Sequence, residues 1–230
     1  MYVKEIENQL IILNGNINEK INKIMALIGI SGKISSGKDT VGKIIRILTS
    51  SPHFTNEAVL DFLEKDSYKS DWQIKKFATI PTEIYKKITN IDFHSLSRTE
   101  KELERPNFID FINNKVKQVF GKDVWVKALM REYFCTHSDH APHGIDCPDW
   151  IITDVRFINE AETILNKEGF LIRVNREFPV NTDDLKPYDF EESETELDNF
   201  DKFNYVIDNN DSLENLIVKV KEILIKEKLI

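Results

Sequence analysis

The chain has 230 residues, of which 41% are hydrophobic and 30% are charged, and its formal net charge at pH 7 is -8. This length supports one sizeable core, two cysteines are too few for a disulfide scaffold, and neither a cleavable leader nor an apolar run of bilayer length stands out. Residues 183–201 carry nine acids and one lysine, which accounts for the whole negative excess. We therefore expect an intracellular, cytoplasmic protein with no membrane partner and, because the remaining charge is balanced, no nucleic-acid partner.

Short apolar runs of strand type alternate with stretches of helical periodicity along the chain. In chain order, the predicted strands are residues 24–31, 73–78, 150–154, 169–174 and 203–207. Helical spacing follows over 41–48, over 159–165 and beyond Asp211, where Asp211 and Glu214 are the predicted caps. Such alternation predicts an α/β fold with a mainly parallel sheet covered by helices on both faces.

Residues 1–23 fit this alternation poorly. They contain an Asn14-Gly15 turn signal between apolar residues, which is typical of a hairpin or of a strand added at a sheet edge. Alternatively, Met25 is a second start and the domain opens with its first strand. We predict an N-terminal extension over residues 1–23 and one domain over residues 24–230.

The stretch GISGKISSGKDT, residues 29–40, connects the first predicted strand to the first predicted helix. It matches the phosphate-loop pattern GxxxxGK[ST] except that Asp39 follows Lys38 and the hydroxyl comes one place late, at Thr40. Backbone N–H groups of such a loop turn inward around an anion, the helix N-terminus adds its dipole, and the lysine neutralises phosphate charge. The predicted phosphate-binding residues are Gly32, Ser35, Ser36, Gly37, Lys38, Asp39 and Thr40.

The GKxT form is the one that nucleoside monophosphate kinases use, and GKDT resembles the bacteriophage deoxynucleoside monophosphate kinases. Further stretches resemble that family in the same order: IKKFA (74–78), SRTEKE (97–102), KQVFGKDVWVKAL (117–129), IITDVRFINEA (151–161), SETEL (193–197) and NYVIDNNDSLENL (204–216). The resemblance covers about residues 24–224. It departs from the family in a shortened segment between Arg98 and Trp125 and in the acidic stretch 183–201.

This resemblance implies the nucleoside monophosphate kinase fold, with a five-stranded parallel sheet flanked by helices. Residues 79–135 would form the acceptor-binding and lid helices. The implied reaction is phosphoryl transfer from ATP, with Mg²⁺, to a deoxynucleoside monophosphate, in the host cytoplasm if the chain is viral. Such a reaction requires two anions held in line while the negative charge on the moving group is stabilised.

The resemblance also carries roles to individual residues. Lys38 would hold the donor phosphates, Asp154 would bind magnesium through water or orient the acceptor, and Arg156 would grip the acceptor phosphate with its planar fork. These are the predicted catalytic residues. The predicted substrate-binding residues are Phe77, Arg98, Gly121, Trp125, Asp154, Arg156 and Glu160, with Arg173 and Arg176 as candidate lid arginines.

Purely structural explanations stand beside these roles. Trp125 is equally well explained as a core residue and Arg98 as part of a solvated helix face among glutamates, and the alternative for Asp154 and Arg156 is a structural ion pair. Cys135, Cys147 and three histidines between them suit zinc by type. Their spacing, CxHxxHxxHxxxC, matches no common finger, so we expect a polar surface loop that holds no metal ion.

Three other functions compete with this interpretation. A kinase for a small phosphate substrate resembling dephospho-coenzyme A would carry GKST rather than GKDT. A kinase for modified bases in DNA would require a surface that follows a duplex, which the acidic charge does not offer. A non-catalytic nucleotide-binding regulator would have no use for Asp154 and Arg156. The accepted bases, the preference for deoxyribose over ribose and the assembly, including a homodimer, stay open.

Overall fold

The computed structural model describes residues 26–65, 69–137, 149–177 and 192–230. Its sheet has the strands β1 (Leu27–Ser31), β2 (Gln73–Lys75), β3 (Trp150–Val155), β4 (Phe170–Asn175) and β5 (Tyr205–Asp208). All pairings are parallel and the strand order is β2-β3-β1-β4-β5. The prediction of a five-stranded, parallel α/β sheet is therefore confirmed.

Helices cover both faces of this sheet. In chain order they are α1 (Lys38–Ser50), α2 (Asn56–Lys65), α3 (Thr79–Thr89), α4 (Arg98–Ile109), α5 (Lys117–Phe120), α6 (Val124–His137), α7 (Ile158–Leu165), α8 (Glu192–Thr195) and α9 (Leu213–Lys226). A π-helical segment, Asp110–Val116, joins α4 to α5. Among the described residues, no helix is long and apolar enough to cross a membrane.

Two apolar layers hold the helices on the sheet. One layer packs α1, α2 and α9 against one face of the strands, and the other packs α6 and α7 against the opposite face. In α1 the residues Val41, Ile44, Ile45 and Leu48 are fully buried, at the spacing that places them on one side of a helix. Strands β1 and β3 are buried along their whole length, because both of their faces are covered.

Several predicted boundaries differ from the structure by one or more residues. The strand predicted over 73–78 ends at Lys75, because Phe77 and Ala78 turn to bind a carboxylate from β3 and lead into α3. Strand β3 continues through Val155, one residue further than predicted. The cap of α9 is Ser212, whose hydroxyl accepts a hydrogen bond from the Asn215 N–H, rather than Asp211 or Glu214.

Aromatic contacts join the helices of the 79–135 region. Tyr85 of α3 makes edge-to-face contacts with Phe108 and Phe111, at ring-centre distances of 5.2 and 5.3 Å, and Phe93 stacks on Phe108 at 4.7 Å. The Tyr85 hydroxyl also bonds to Glu104 of α4. These contacts make α3 and α4 one packed unit beside the sheet.

Three sequence predictions fall outside the described residues. The N-terminal extension, residues 1–23, is one of them, and the start of the acidic stretch, 183–191, is another. Most of the Cys/His loop, 138–148, is the third, together with the side chains of Cys135 and His137. The side chain of Arg98 is likewise outside the described part. Predictions about these residues remain predictions.

Candidate active site

The sheet brings the phosphate loop and the Asp154 segment to one edge. Loop 32–37 follows β1, and Arg156 follows β3, the strand that pairs directly with β1. Because all strands are parallel, the segments that leave their carboxyl ends meet at the same edge, where ligands of open α/β sheets bind. The structure therefore places the predicted donor and acceptor residues side by side.

The phosphate loop has the backbone that its glycines predict. Gly37 caps α1 in the left-handed conformation, with φ of 98°, and Ser35 has φ of 63°. A β-carbon at Gly37 would collide with the side-chain amide of Asn209, and one at Gly32 with the Val174 carbonyl. Both glycines are thus required by close approach, and Gly37 by its backbone angle as well.

Asn209, which follows β5, supports this loop from the other side. Its side-chain Nδ2 donates to the Ser36 carbonyl at 2.8 Å, and its backbone N–H donates to the Asn175 carbonyl at 2.8 Å. Asn209 is not among the residues predicted for the site, although it lies in the stretch NYVIDNNDSLENL that carried part of the resemblance. The Asn209 contact joins the last strand to the loop.

Lys38 is folded into the loop. Its ammonium Nζ donates to the Lys33 carbonyl at 3.0 Å, and only 7% of the residue is exposed. Burial, together with the positive charge of Arg156, lowers the pKa of Lys38 to about 8, although nearby carboxylates act in the opposite direction. Lys38 is therefore held against the loop backbone and is shielded from solvent.

Asp39, which stands where the phosphate-loop pattern has Ser or Thr, connects the start of α1 to neighbouring segments through its side chain. Its Oδ1 accepts a hydrogen bond from the Thr153 hydroxyl at 2.8 Å and pairs with the Lys76 ammonium at 2.8 Å. Burial by itself would raise the pKa of Asp39, but the contacts to Lys76 and Thr153 outweigh it and lower that pKa. Asp39 therefore connects the phosphate loop to β3 and to the segment before α3.

Asp154 holds the start of α3. Its two carboxylate oxygens accept hydrogen bonds from the Phe77 and Ala78 N–H groups, at 2.8 and 2.9 Å. Burial raises the pKa of Asp154, while the two amides and the positive charge of Arg156 act against that rise. This carboxylate positions the entry to the 79–135 region, and its contact with magnesium or the acceptor remains a prediction.

Arg156 pairs with a residue that the sequence analysis did not select. Its Nη1 donates to Oε1 of Glu194, and the other oxygen of Glu194 accepts from the Ile34 N–H of the phosphate loop at 3.0 Å. The alternative in which Arg156 serves as the ion-pair partner of Asp154 is therefore not what the structure contains. The signal that pointed toward Glu194 was the stretch SETEL within the acidic segment.

Glu160 turns inward at the start of α7. Its carboxylate accepts hydrogen bonds from the Arg156 and Phe157 N–H groups, at 2.7 and 3.1 Å. Burial and the neighbouring charge of Asp154 raise the pKa of Glu160 to about 8. Glu160 thereby fixes the backbone that carries Arg156, and its predicted contact with the acceptor nucleoside remains untested.

The raised pKa of Glu160 predicts a stability that depends on pH. The folded protein keeps the Glu160 proton up to about pH 8, whereas the unfolded chain releases it near its ordinary value of about 4.3. The stability that the protonated Glu160 side chain contributes is complete below the pKa of the unfolded chain. It is lost as the pH rises through the pKa of the folded protein. Glu160→Gln, which cannot ionise, should raise the Tm at pH 8.5 by at least about 2 °C and change it little at pH 4.5.

Thermal unfolding across this pH range provides the measurement. Glu162→Gln is the matched control, since Glu162 lies on the same helix with an exposed side chain that pairs with Lys202. A constant Tm difference between Glu160→Gln and the parent chain at all pH values would contradict the assigned protonation.

The other predicted substrate-binding residues differ in exposure. Phe77 and Trp125 are 3% and 5% exposed, and Phe77 packs in the layer under α6 and α7. Gly121 ends α5 with φ of 90° and has open space around it.

Arg173, a candidate lid arginine, lies in β4 and donates to Ser31 and to Asp198, so its contacts are with the sheet edge rather than with α3 or α4. Arg176 follows the same strand.

Comparison with known protein families gives an independent assignment. A family model described as deoxynucleotide monophosphate kinase matches residues 52–220. The matched segment contains Asp154, Arg156 and Glu194, and it begins after the phosphate loop and α1. No individually curated protein matches the chain. Because the family model covers more than half of the chain, this protein belongs to the deoxynucleotide monophosphate kinase family.

Proposed function

We propose that this protein transfers the terminal phosphoryl group of ATP to a deoxynucleoside 5′-monophosphate and releases ADP and a deoxynucleoside diphosphate. Family membership makes the protein a phosphotransferase. One observation supports ATP as the donor and a monophosphate as the acceptor. The loop with the phosphate-binding pattern and the Arg156 guanidinium lie at the same edge of the sheet and share the contact with Glu194. One anion site faces another, as transfer between two phosphates requires.

The donor phosphates would bind at the phosphate loop. The left-handed backbone at Ser35 and Gly37 and the N-terminus of α1 provide N–H donors and a favourable dipole. Lys38 would exchange its contact with the Lys33 carbonyl for the phosphates, which satisfy an ammonium better than a neutral oxygen does. This loop lies outside the family match, so its geometry alone supports the assignment of ATP.

The acceptor phosphate would bind at Arg156. Within the described part of the chain, the guanidinium contacts Glu194 through one nitrogen, and because the group has five N–H donors in one plane, further donors are available for phosphate oxygens. We further propose that residues 79–135 enclose the acceptor, since Asp154 attaches the start of α3 to the same sheet edge. Enclosure would keep out water, the competing acceptor.

Magnesium fits the oxygen donors at this edge. The Thr40 hydroxyl and the carboxylates of Asp39 and Asp154 are the hard ligand types that Mg²⁺ takes, directly or through water. When bound, Mg²⁺ would neutralise charge on the donor phosphates and favour their in-line geometry. Oδ1 of Asp39 already contacts Thr153 and Lys76, so Oδ2 would be the oxygen that serves the metal ion.

A turnover screen tests the proposed function. Purified protein with ATP and Mg²⁺ should convert at least one of the four common deoxynucleoside monophosphates to its diphosphate. Ribonucleoside monophosphates and 5-modified deoxy-CMP and deoxy-UMP define the sugar and base preference in the same assay. Turnover of dephospho-coenzyme A or of duplex DNA, with no turnover of any nucleoside monophosphate, would contradict the proposal.

The lowered pKa of Lys38 predicts the pH dependence of ATP use. Below about pH 8 the ammonium is charged and attracts the phosphates, and above it the neutral amine does not. We expect kcat/KM for ATP, which reports the free enzyme, to fall above about pH 8 by roughly tenfold per pH unit. When kcat is measured against pH, its decline should begin at a higher pH than that of kcat/KM, because bound phosphate favours the protonated amine. Identical breaks in the two profiles would contradict this assignment.

A further inference from the structure

A short acidic segment lies across the site edge. We call residues 194–198 the acidic strap. Its three carboxylates contact five donors: Glu194 contacts the Ile34 N–H and Arg156, Glu196 accepts from the N–H of Ile158, and Asp198 pairs with Arg173 and Lys33. The strap thus contacts the segments that leave β1 and β3 as well as β4.

Glu194 differs from the other two acids in what it connects. Its Oε2 accepts from the Ile34 N–H, within the loop assigned to the donor, and its Oε1 accepts from Arg156, assigned to the acceptor. The glutamate side chain is 6% exposed and the arginine side chain 29% exposed. Charge-assisted bonds of a carboxylate at this depth are strong and directional, so Arg156 has a defined orientation relative to the loop.

Contacts that do not involve Glu194 also hold the strap. Leu197 is 3% exposed and packs in the apolar layer under α6 and α7, and Asp198 keeps its ion pairs with Arg173 at 2.9 Å and Lys33 at 3.1 Å. Glu196 keeps its bond to Ile158 at 2.8 Å. A change at position 194 therefore removes one contact to Arg156 and one to the loop without releasing the segment.

We propose that Glu194 is a positioning residue for phosphoryl transfer, one that holds the Arg156 guanidinium at a set distance from the phosphate loop. This inference rests on the proposed function, in which Arg156 grips the acceptor phosphate and the loop holds the donor. One carboxylate bonded to both sites aligns the two phosphates with each other. The N–H edge of the guanidinium that does not contact Glu194 is the part that would bind the acceptor phosphate.

Steady-state kinetics of Glu194→Gln provide the first test. Glutamine keeps the size of the side chain and removes its charge, so Arg156 should lose its orientation while the loop stays intact. We expect kcat/KM for the acceptor to fall about tenfold and KM for ATP to change less than about twofold. Glu196→Gln is the matched control, two residues away on the same strap, and should change both values by less than about twofold. If Glu194→Gln does not fold, Glu194→Asp, which is too short to reach both partners, should give the same acceptor defect.

A double-mutant cycle shows whether Glu194 acts through Arg156. In an Arg156→Ala background, Glu194→Gln should change kcat/KM for the acceptor by less than about twofold, because the group to be positioned is gone. Two additive effects would overturn the proposal. So would tighter ATP binding in Glu194→Gln with unchanged acceptor kinetics, since the carboxylate would then compete with the donor phosphates. Unchanged kinetics for both substrates would overturn it as well.

Equilibrium binding separates failure of this inference from failure of the proposed function. Calorimetry with the four deoxynucleoside monophosphates requires no turnover. Glu194→Gln should weaken binding of the tightest of them about tenfold when Arg156 is present and less than about twofold when it is absent. Parent protein that binds a monophosphate without phosphorylating it would contradict the proposed function alone. Equal weakening in both backgrounds, or none, would overturn the positioning role alone.

Discussion

Replacing Lys38 by methionine or alanine is expected to lower kcat on the order of a thousandfold while the fold persists. The ammonium is the positive charge that lies inside the phosphate loop, where little water screens it, so its attraction for the spread charge of the transferring group is large. Stability should change by less than about 1 kcal/mol, because the lost hydrogen bond to the Lys33 carbonyl is offset by relief of a buried charge. Methionine also keeps the aliphatic stem that packs in the loop.

Single-turnover rates with saturating ATP measure the expected loss of catalysis, and thermal unfolding measures the expected small change in stability. Lys65→Ala is the control, since it removes the same charge from an exposed pair with Asp61 at the end of α2. A Lys38→Met protein with turnover within a few fold of the parent would show that this loop does not hold the donor phosphates.

Arg156→Ala is expected to lower kcat/KM for the acceptor about a hundredfold, equivalent to about 3 kcal/mol, and to change the affinity for ATP far less. The guanidinium is lost from the acceptor side, whereas the loop amides and Lys38 stay on the donor side. Arg156→Lys should recover only part of the loss, because lysine restores the charge without the planar fork that binds two phosphate oxygens together.

One consequence of Arg156→Ala requires its own control. The substitution leaves the Glu194 carboxylate buried beside the phosphate loop without its ion-pair partner, and that charge repels phosphate. The variant Arg156→Ala/Glu194→Gln removes this repulsion, so the two proteins should share the acceptor defect and differ only in ATP affinity. Weaker ATP binding with unchanged acceptor kinetics in both proteins would assign Arg156 to the donor side.

Much of the fold was predictable from local patterns. The apolar runs at β1, β3, β4 and β5 and the helical spacing of α1 and α9 are properties of contiguous residues, and the structure confirms them as strands and helices. Where the prediction failed, a distant group was responsible: the predicted strand after Gln73 ends early because Asp154, 77 residues from Phe77, accepts hydrogen bonds from the turn into α3.

The sequence alone contains the phosphate-loop pattern, because its glycines, its lysine and the helix that follows are adjacent along the chain, and it predicts that Asp154 lies at the carboxyl end of a strand. It also determined the family, through short stretches spread over the chain. The distant side chains that contact the predicted site are evident only in the folded chain. Asp39 meets Thr153 across 114 residues, Asn209 meets Ser36 across 173, and Glu194 meets Ile34 across 160. Such contacts follow from the strand order β2-β3-β1-β4-β5, which brings distant chain segments to one edge of the sheet. The periodicity of a single segment does not specify this order.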